Sequence, residues 1–127
     1  MEWKYVKTIS ESELLKVEEK LNIKLSQKLK DIILKYNNGR PQRNMFDTKT
    51  EKGKTIKKIL SYNEEDKDNI YMFIDIMNKG YIPFAITEFG DVICESKEKI
   101  IFLYKHELDE FEYVEVNIDK FINEKLY

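Results

Sequence analysis

The hydrophobic period of this chain changes partway along its length. Leu29, Ile32, Ile33 and Tyr36 recur at i, i+3, i+4 and i+7, which is one face of an α-helix. From Tyr81 onward the apolar residues fall instead into short runs, Tyr81 to Thr87, Asp91 to Glu95 and Ile100 to Tyr104. Runs of that length, rich in β-branched and aromatic residues, suit strands. Strands joined by connections too short for a crossover pair antiparallel. Helices first and neighbouring strands afterwards predict an α+β domain, not a helical bundle or an alternating βαβ fold.

Local signals sharpen that outline. Ser10 can cap a helix, Glu13 completes a capping box, and Ile9 with Leu14 can form a hydrophobic staple. Leu14, Val17 and Leu21 then share one face of this helix. Ser26 opens the second helix, and Asn37-Asn38-Gly39 closes it, since Asn and Gly tolerate left-handed backbone; Pro41 hinders its resumption. Met45-Phe46 and Ile56 to Tyr62 read as short strands around a polar loop. Ile70, Phe73, Ile74 and Met77 have helical spacing behind an acidic lead that suits a helix N-terminus. Their β-branched and aromatic content leaves a strand open there. Glu88-Phe89-Gly90 reads as a hairpin turn with Gly90 at positive φ, and Gly39 is expected to be left-handed too. Glu112 to Val116 makes a further strand, and Asn117 caps a closing helix bearing Ile118, Phe121, Ile122 and Leu126. The expected architecture is a single domain over 1–127, a mainly antiparallel β-sheet with N-terminal helices and a C-terminal helix packed on it.

At 127 residues the chain can bury one core without disulfides or metals, and its single cysteine fits a reducing compartment. No apolar run approaches the roughly 20 residues of a membrane span, and Met1 to Tyr5 lacks a signal-peptide core. A soluble, cytoplasmic domain is expected, with no membrane partner. The net charge of −2 conceals two opposite halves. Residues 1–63 hold 15 Lys/Arg and 8 Asp/Glu, a balance of +7, whereas residues 64–127 hold 7 and 16, a balance of −9. Such asymmetry points to a charged partner unless the fold intermixes the halves.

Catalytic signatures are missing. His106 is the only histidine, and in His106-Glu107 the string of a zinc protease fails because position 110 is Glu. His106 reads as a turn hydrogen-bonding residue and Cys94 as a small buried hydrophobe. Gly53-Lys54-Thr55 resembles the end of a phosphate loop, but Thr48 stands where its first glycine is required. Lys49, Lys52, Lys54, Lys57 and Lys58 form a basic run with no aromatic between them, which reads as a solvated loop; nucleic acid is not an expected partner. Neither a metal, a cofactor nor a catalytic residue is expected.

Three stretches together resemble the SUKH superfamily, the Smi/Knr-like proteins. The first runs from the helix at Glu13 through Leu21-Asn22-Ile23-Lys24-Leu25-Ser26 to Asn37-Asn38-Gly39-Arg40-Pro41, where bacterial members often have Asn-Gly-Gly-Arg-Pro and then a Phe, here Phe46. The second is Ile82-Pro83-Phe84-Ala85 with Gly90-Asp91-Val92-Ile93-Cys94, similar to the family's Ile-Pro-Phe-Ala hairpin and Gly-Asn-x-Ile-Cys return strand. The third is Ile100 to Glu107, ending in His-Glu before a strand and a closing helix. Asn38 replaces the first family glycine, Asp91 the usual Asn, and Ser96 an acid that often follows the Ile-Cys pair. Read bottom-up, Asn38, Gly39, Pro41, Pro83, Phe84, Ala85, Gly90 and Ile93 are turn and packing residues.

The resemblance implies a non-enzymatic immunity protein that binds and blocks a cognate secreted toxin domain, often a nuclease and therefore basic. The alternative it implies is a regulatory interaction module, as in the family's fungal cell-wall regulators. The expected surface for such a partner is the acidic run Glu107, Asp109, Glu110 and Glu112, taken as an exposed loop between two strands. The segment Glu64, Glu65, Asp66 and Asp68 is the second candidate surface. A monomer or weak homodimer is expected.

Overall fold

A computed structural model describes residues 1–127. Helix α1 spans Glu11–Leu21 and begins at Ser10, whose hydroxyl accepts from the Glu13 N–H while the Glu13 side chain accepts from the Ser10 N–H. The predicted capping box is present. Leu14 and Val17 are buried from this helix, and Ile9 is buried beside its start. Helix α2 spans Gln27–Tyr36, capped by the Ser26 hydroxyl at the Leu29 N–H, and buries Leu29, Ile32 and Ile33. The apolar period read from the sequence is therefore the packing face.

Two sheets follow. The short strands β1 (Trp3–Lys4) and β2 (Arg40–Pro41) pair antiparallel. Six strands form the main antiparallel sheet in sequence order: β3 (Met45–Phe46), β4 (Lys54–Ile59), β5 (Ile82–Thr87), β6 (Val92–Glu95), β7 (Ile101–Lys105) and β8 (Glu110–Glu115). Between β4 and β5 a 3-10 turn (Ile70–Phe73) runs into helix α3 (Ile74–Asn78), so the helical spacing of Ile70 to Met77 prevails over the strand alternative. Asn117 caps helix α4 (Ile118–Lys120), which continues as a π-helical turn, Phe121–Lys125.

One cluster of buried apolar side chains draws on nearly the whole chain, from Ile9 to Leu126. Phe121 sits edge-to-face with Phe46 at 5.4 Å and with Phe84 at 6.1 Å, so the closing helix locks β3 and β5 together. Tyr62 is fully buried and donates its hydroxyl to the Pro83 carbonyl at 2.8 Å.

The helix α2 terminus departs from expectation. Gly39 is not left-handed; Asn38 is, at φ +67°. A Cβ on Gly39 would lie 2.8 Å from the Tyr36 carbonyl oxygen and 3.1 Å from both Trp3 and Val6. Glycine is thus required there for close approach and not for its φ. Gly90 does adopt the expected positive φ, +89°.

The basic run also differs. Lys54, Lys57 and Lys58 belong to β4 rather than to a solvated loop, and Lys58 is buried. Strict alternation would put Lys58 on the same face as Ile56. A β-bulge between Ile56 and Lys58 shifts the register, so Ile59 takes the next core position.

Candidate functional site

Because β5, β6, β7 and β8 are successive neighbours, the β5–β6 and β7–β8 turns project from the same end of the sheet. At the first, the Thr87 carbonyl accepts from the Gly90 N–H, and the Thr87 hydroxyl accepts from the Asp91 N–H at 3.0 Å. At the second, the Lys105 carbonyl accepts from the Leu108 N–H, and Asp109 turns the chain at φ +51°. Each tip carries an apolar side chain into solvent: Phe89 is 86% exposed and Leu108 61%. Between them lies an open cleft of about 560 Å³, bounded also by Thr50, Lys54, Lys105 and His106.

The polar groups of the cleft are tied to one another. His106 Nδ1–H donates to Asp91 Oδ1 at 2.7 Å, and the His106 backbone N–H reaches the same oxygen at 3.2 Å. Lys105 Nζ lies 3.0 Å from Glu112 Oε1 and 3.4 Å from Glu51, while the Thr50 hydroxyl donates to Glu112 at 2.7 Å. Hydrogen bonding to Glu112 holds Lys105 above the ordinary lysine value. Burial alone would raise Glu112, but its bonds to Thr50 and Lys105 outweigh that, and its carboxyl is lowered. Lys54 does the same for Glu51.

The expected acidic residues separate into two groups. Glu107 and Glu110 are exposed at the tip and form no ion pair, and the same is true of Glu88 on the neighbouring turn; Lys105, opposite Glu110 in the ladder, pairs instead with Glu112 and Glu51. Asp109, though exposed, is held by Lys79 and by the Tyr104 hydroxyl, each at 2.6 Å. Glu112 is not in an exposed loop at all. The ladder continues to the pair Lys105–Glu110, so the connection shrinks to residues 106–109, and Glu112 faces inward opposite Leu103.

The second acidic segment is largely neutralised. Glu64 pairs with Lys20, Asp66 with Lys7 at 2.7 Å, and Asp68 with Lys57 at 2.9 Å, leaving Glu65 without a cation. Of the residues expected to serve turns and packing, Phe84, Ala85 and Ile93 are essentially fully buried, and Pro41 and Pro83 are buried within strands.

The sequence reading missed Phe89 and Leu108. Its available signal was a large apolar residue at the centre of a turn, where polar residues are the rule. Chemically, the cleft presents His106 Nε2 and one hydroxyl, that of Thr50, already donated to Glu112. Cys94 is buried in β6, and desolvation pushes its thiol far above the ordinary range, which disfavours the nucleophilic thiolate. No three His, Cys, Asp or Glu side chains gather as a metal-binding group, and no helix is long and apolar enough to cross a membrane.

The sequence profile of the SMI1 / KNR4 family (SUKH-1) fits residues 8–124. No curated protein and no solved structure matches the chain.

Proposed function

From the premise that the chain belongs to the SMI1 / KNR4 family (SUKH-1), we propose that it is a non-enzymatic immunity protein. Its partner is a basic toxin domain, a nuclease in the leading reading, which it occludes in the cytoplasm by direct binding. The observation that carries the reading is the pair of exposed apolar side chains, Phe89 and Leu108, on turns that also carry the exposed carboxylates Glu88, Glu107 and Glu110, none of them in an ion pair. Apolar anchors dominate interface energy, and surrounding charges of one sign select and steer a partner of the other. Asp109 and Glu112 support the surface from behind by fixing the turn and the strand.

The test takes as candidate partner any toxin domain that sequencing finds encoded beside the chain's own gene, with growth protection and association kinetics as readouts. Glu107→Lys with Glu110→Lys should slow association about tenfold at low salt and less at high salt. Phe89→Ala with Leu108→Ala should chiefly speed dissociation. A folded chain carrying all four changes that still binds and protects like the parent refutes the surface. Binding without protection would favour the regulatory module instead.

A further inference from the structure

A second cavity, of about 320 Å³, lies at the β1–β2 side of the fold and is lined by Tyr5, Lys7, Asn38, Arg40 and Lys58. Its cations are unevenly balanced. Lys7 is paired with Asp66, and the neighbouring Lys57 with Asp68. Arg40 and Lys58 have no carboxylate partner; the Arg40 guanidinium rests over the Tyr5 ring at 5.5 Å. Lys58 is only 5% exposed, and its ammonium donates to Asn38 Oδ1 and to the Lys67 carbonyl. An ammonium has three N–H donors, so one remains uncommitted, and all the guanidinium donors of Arg40 remain available.

Burying a lysine without a carboxylate is costly, and desolvation lowers the affinity of Lys58 for its proton. The charges of Asp68 and Asp66 oppose that lowering, and Arg40 adds a smaller contribution to it. The surrounding backbone is held in an uncommon conformation as well. Tyr5, Asn38 and Asp68 all have positive φ, at +62°, +67° and +51°. The Asn38 amide fixes this arrangement by donating to the Tyr5 carbonyl at 2.9 Å while its oxygen orients Lys58. The bulge in β4 is what brings Lys58 here. Strained backbone, a bulge and a buried charge converging on one cavity are features that cluster at binding sites.

We propose that this cavity is a receptor for a phosphate group, with Arg40 and Lys58 as its two cationic donors and Tyr5 as an aromatic wall. The charge fits: two cations with no carboxylate in contact face a group carrying about −1.5 to −2 near neutral pH. The geometry fits too, since a planar guanidinium fork and an ammonium suit separate oxygens of one phosphate. The site is distinct from the acidic tips and stands whether or not those tips bind a toxin.

The experiment is a calorimetric and thermal-shift titration of the full chain with inorganic phosphate, against sodium chloride at equal ionic strength. Phosphate should bind saturably and raise the unfolding temperature where chloride does not. Arg40→Gln, an exposed substitution outside the core, should weaken binding about tenfold, as loss of one charge-assisted contact implies. Lys24→Gln, at a different surface cavity, should leave it unchanged. Phenyl phosphate binding more tightly than inorganic phosphate would identify a monoester as the ligand, using the Tyr5 wall; equal affinity would identify the free ion. Absence of saturable phosphate binding by the folded chain, tighter binding of acetate than phosphate, or full affinity in Arg40→Gln would each overturn the proposal.

Discussion

Alanine and asparagine at Gly39 and Gly90 should separate two reasons a chain needs glycine. At Gly39 the backbone is ordinary, but an added Cβ would approach the Tyr36 oxygen to 2.8 Å. That same oxygen accepts the Gly39 N–H at 2.7 Å and belongs to the last residue of α2, so it cannot retreat without opening the turn. Trp3 and Val6 close the other side at 3.1 Å. Overpacking of this kind costs about 1–3 kcal/mol, offset by about 0.4–1 kcal/mol from the reduced freedom of the unfolded chain. A net loss of about 1–2 kcal/mol in a domain of this size lowers the unfolding temperature by roughly 3–10 °C.

At Gly90 the space is open, the nearest atom being His106 Cε1 at 3.6 Å, but φ is +89°. Alanine there costs about 1–2 kcal/mol through left-handed backbone alone. Asparagine reverses the order between the sites. It tolerates positive φ, so Gly90→Asn should recover much of the loss seen in Gly90→Ala. It is larger, so Gly39→Asn should be worse than Gly39→Ala. Thermal unfolding of the four variants decides the matter. Gly39→Ala unfolding within 2 °C of the parent, or Gly39→Asn proving the more stable of its pair, would refute the close-approach reasoning.

Two further outcomes follow from the ionisable groups. Burial raises the Glu95 carboxyl in β6, so the folded state binds its proton more tightly and stability falls as pH rises from the unfolded value through the folded one. Glu95→Gln, which keeps the acceptor for the Ser26 hydroxyl, should therefore raise stability at neutral pH, with the gain vanishing below about pH 4; unfolding temperature against pH for both proteins tests this. Glu112 is lowered instead, so its contribution is present above the usual carboxylate value and lost as pH falls through the folded one. Glu112→Ala should destabilise by about 1–2 kcal/mol at pH 7 in denaturant melts, and by less in acid.

The helices were legible because their determinants are local. Ser10, Glu13, Ser26 and Asn117 cap as their spacing demands, and the apolar stripe of α2 is the buried one. The hairpin at Gly90 was legible for the same reason. What escaped was set by neighbours distant in sequence. Gly39 is constrained by Trp3 and Val6, more than thirty residues away, and the left-handed position passed to Asn38, whose amide bonds Tyr5. Lys58 looked like one more surface lysine because a bulge, which shifts alternation by one, leaves no mark in composition. Glu112 looked exposed because a run of acids suggests a loop, whereas cross-strand pairing carries the ladder to Glu110. The proposed acidic surface was thus half visible: its charges could be read, and the exposed Phe89 and Leu108 could not.

The opposite charges of the two halves meet across the fold in Lys7–Asp66, Lys20–Glu64, Lys28–Asp119, Lys54–Asp91 and Lys57–Asp68. What stays uncompensated is local: carboxylates at the hairpin tips and cations in the cavity beside β2. Lys54 marks the tip end of β4 and Lys58 the cavity, four residues apart, or about 13 Å at strand spacing. Glu107 and Glu110 lie beyond Lys54, so the two poles are further apart than the screening length of about 8 Å at physiological salt. The poles should therefore act independently under those conditions. Glu107→Lys with Glu110→Lys should leave phosphate affinity at the cavity unchanged at physiological ionic strength. At low salt, where screening relaxes to about 30 Å, the same change should tighten phosphate binding measurably. An equal effect of the two reversals at both salt concentrations would mean that the poles communicate through the structure and not through the field.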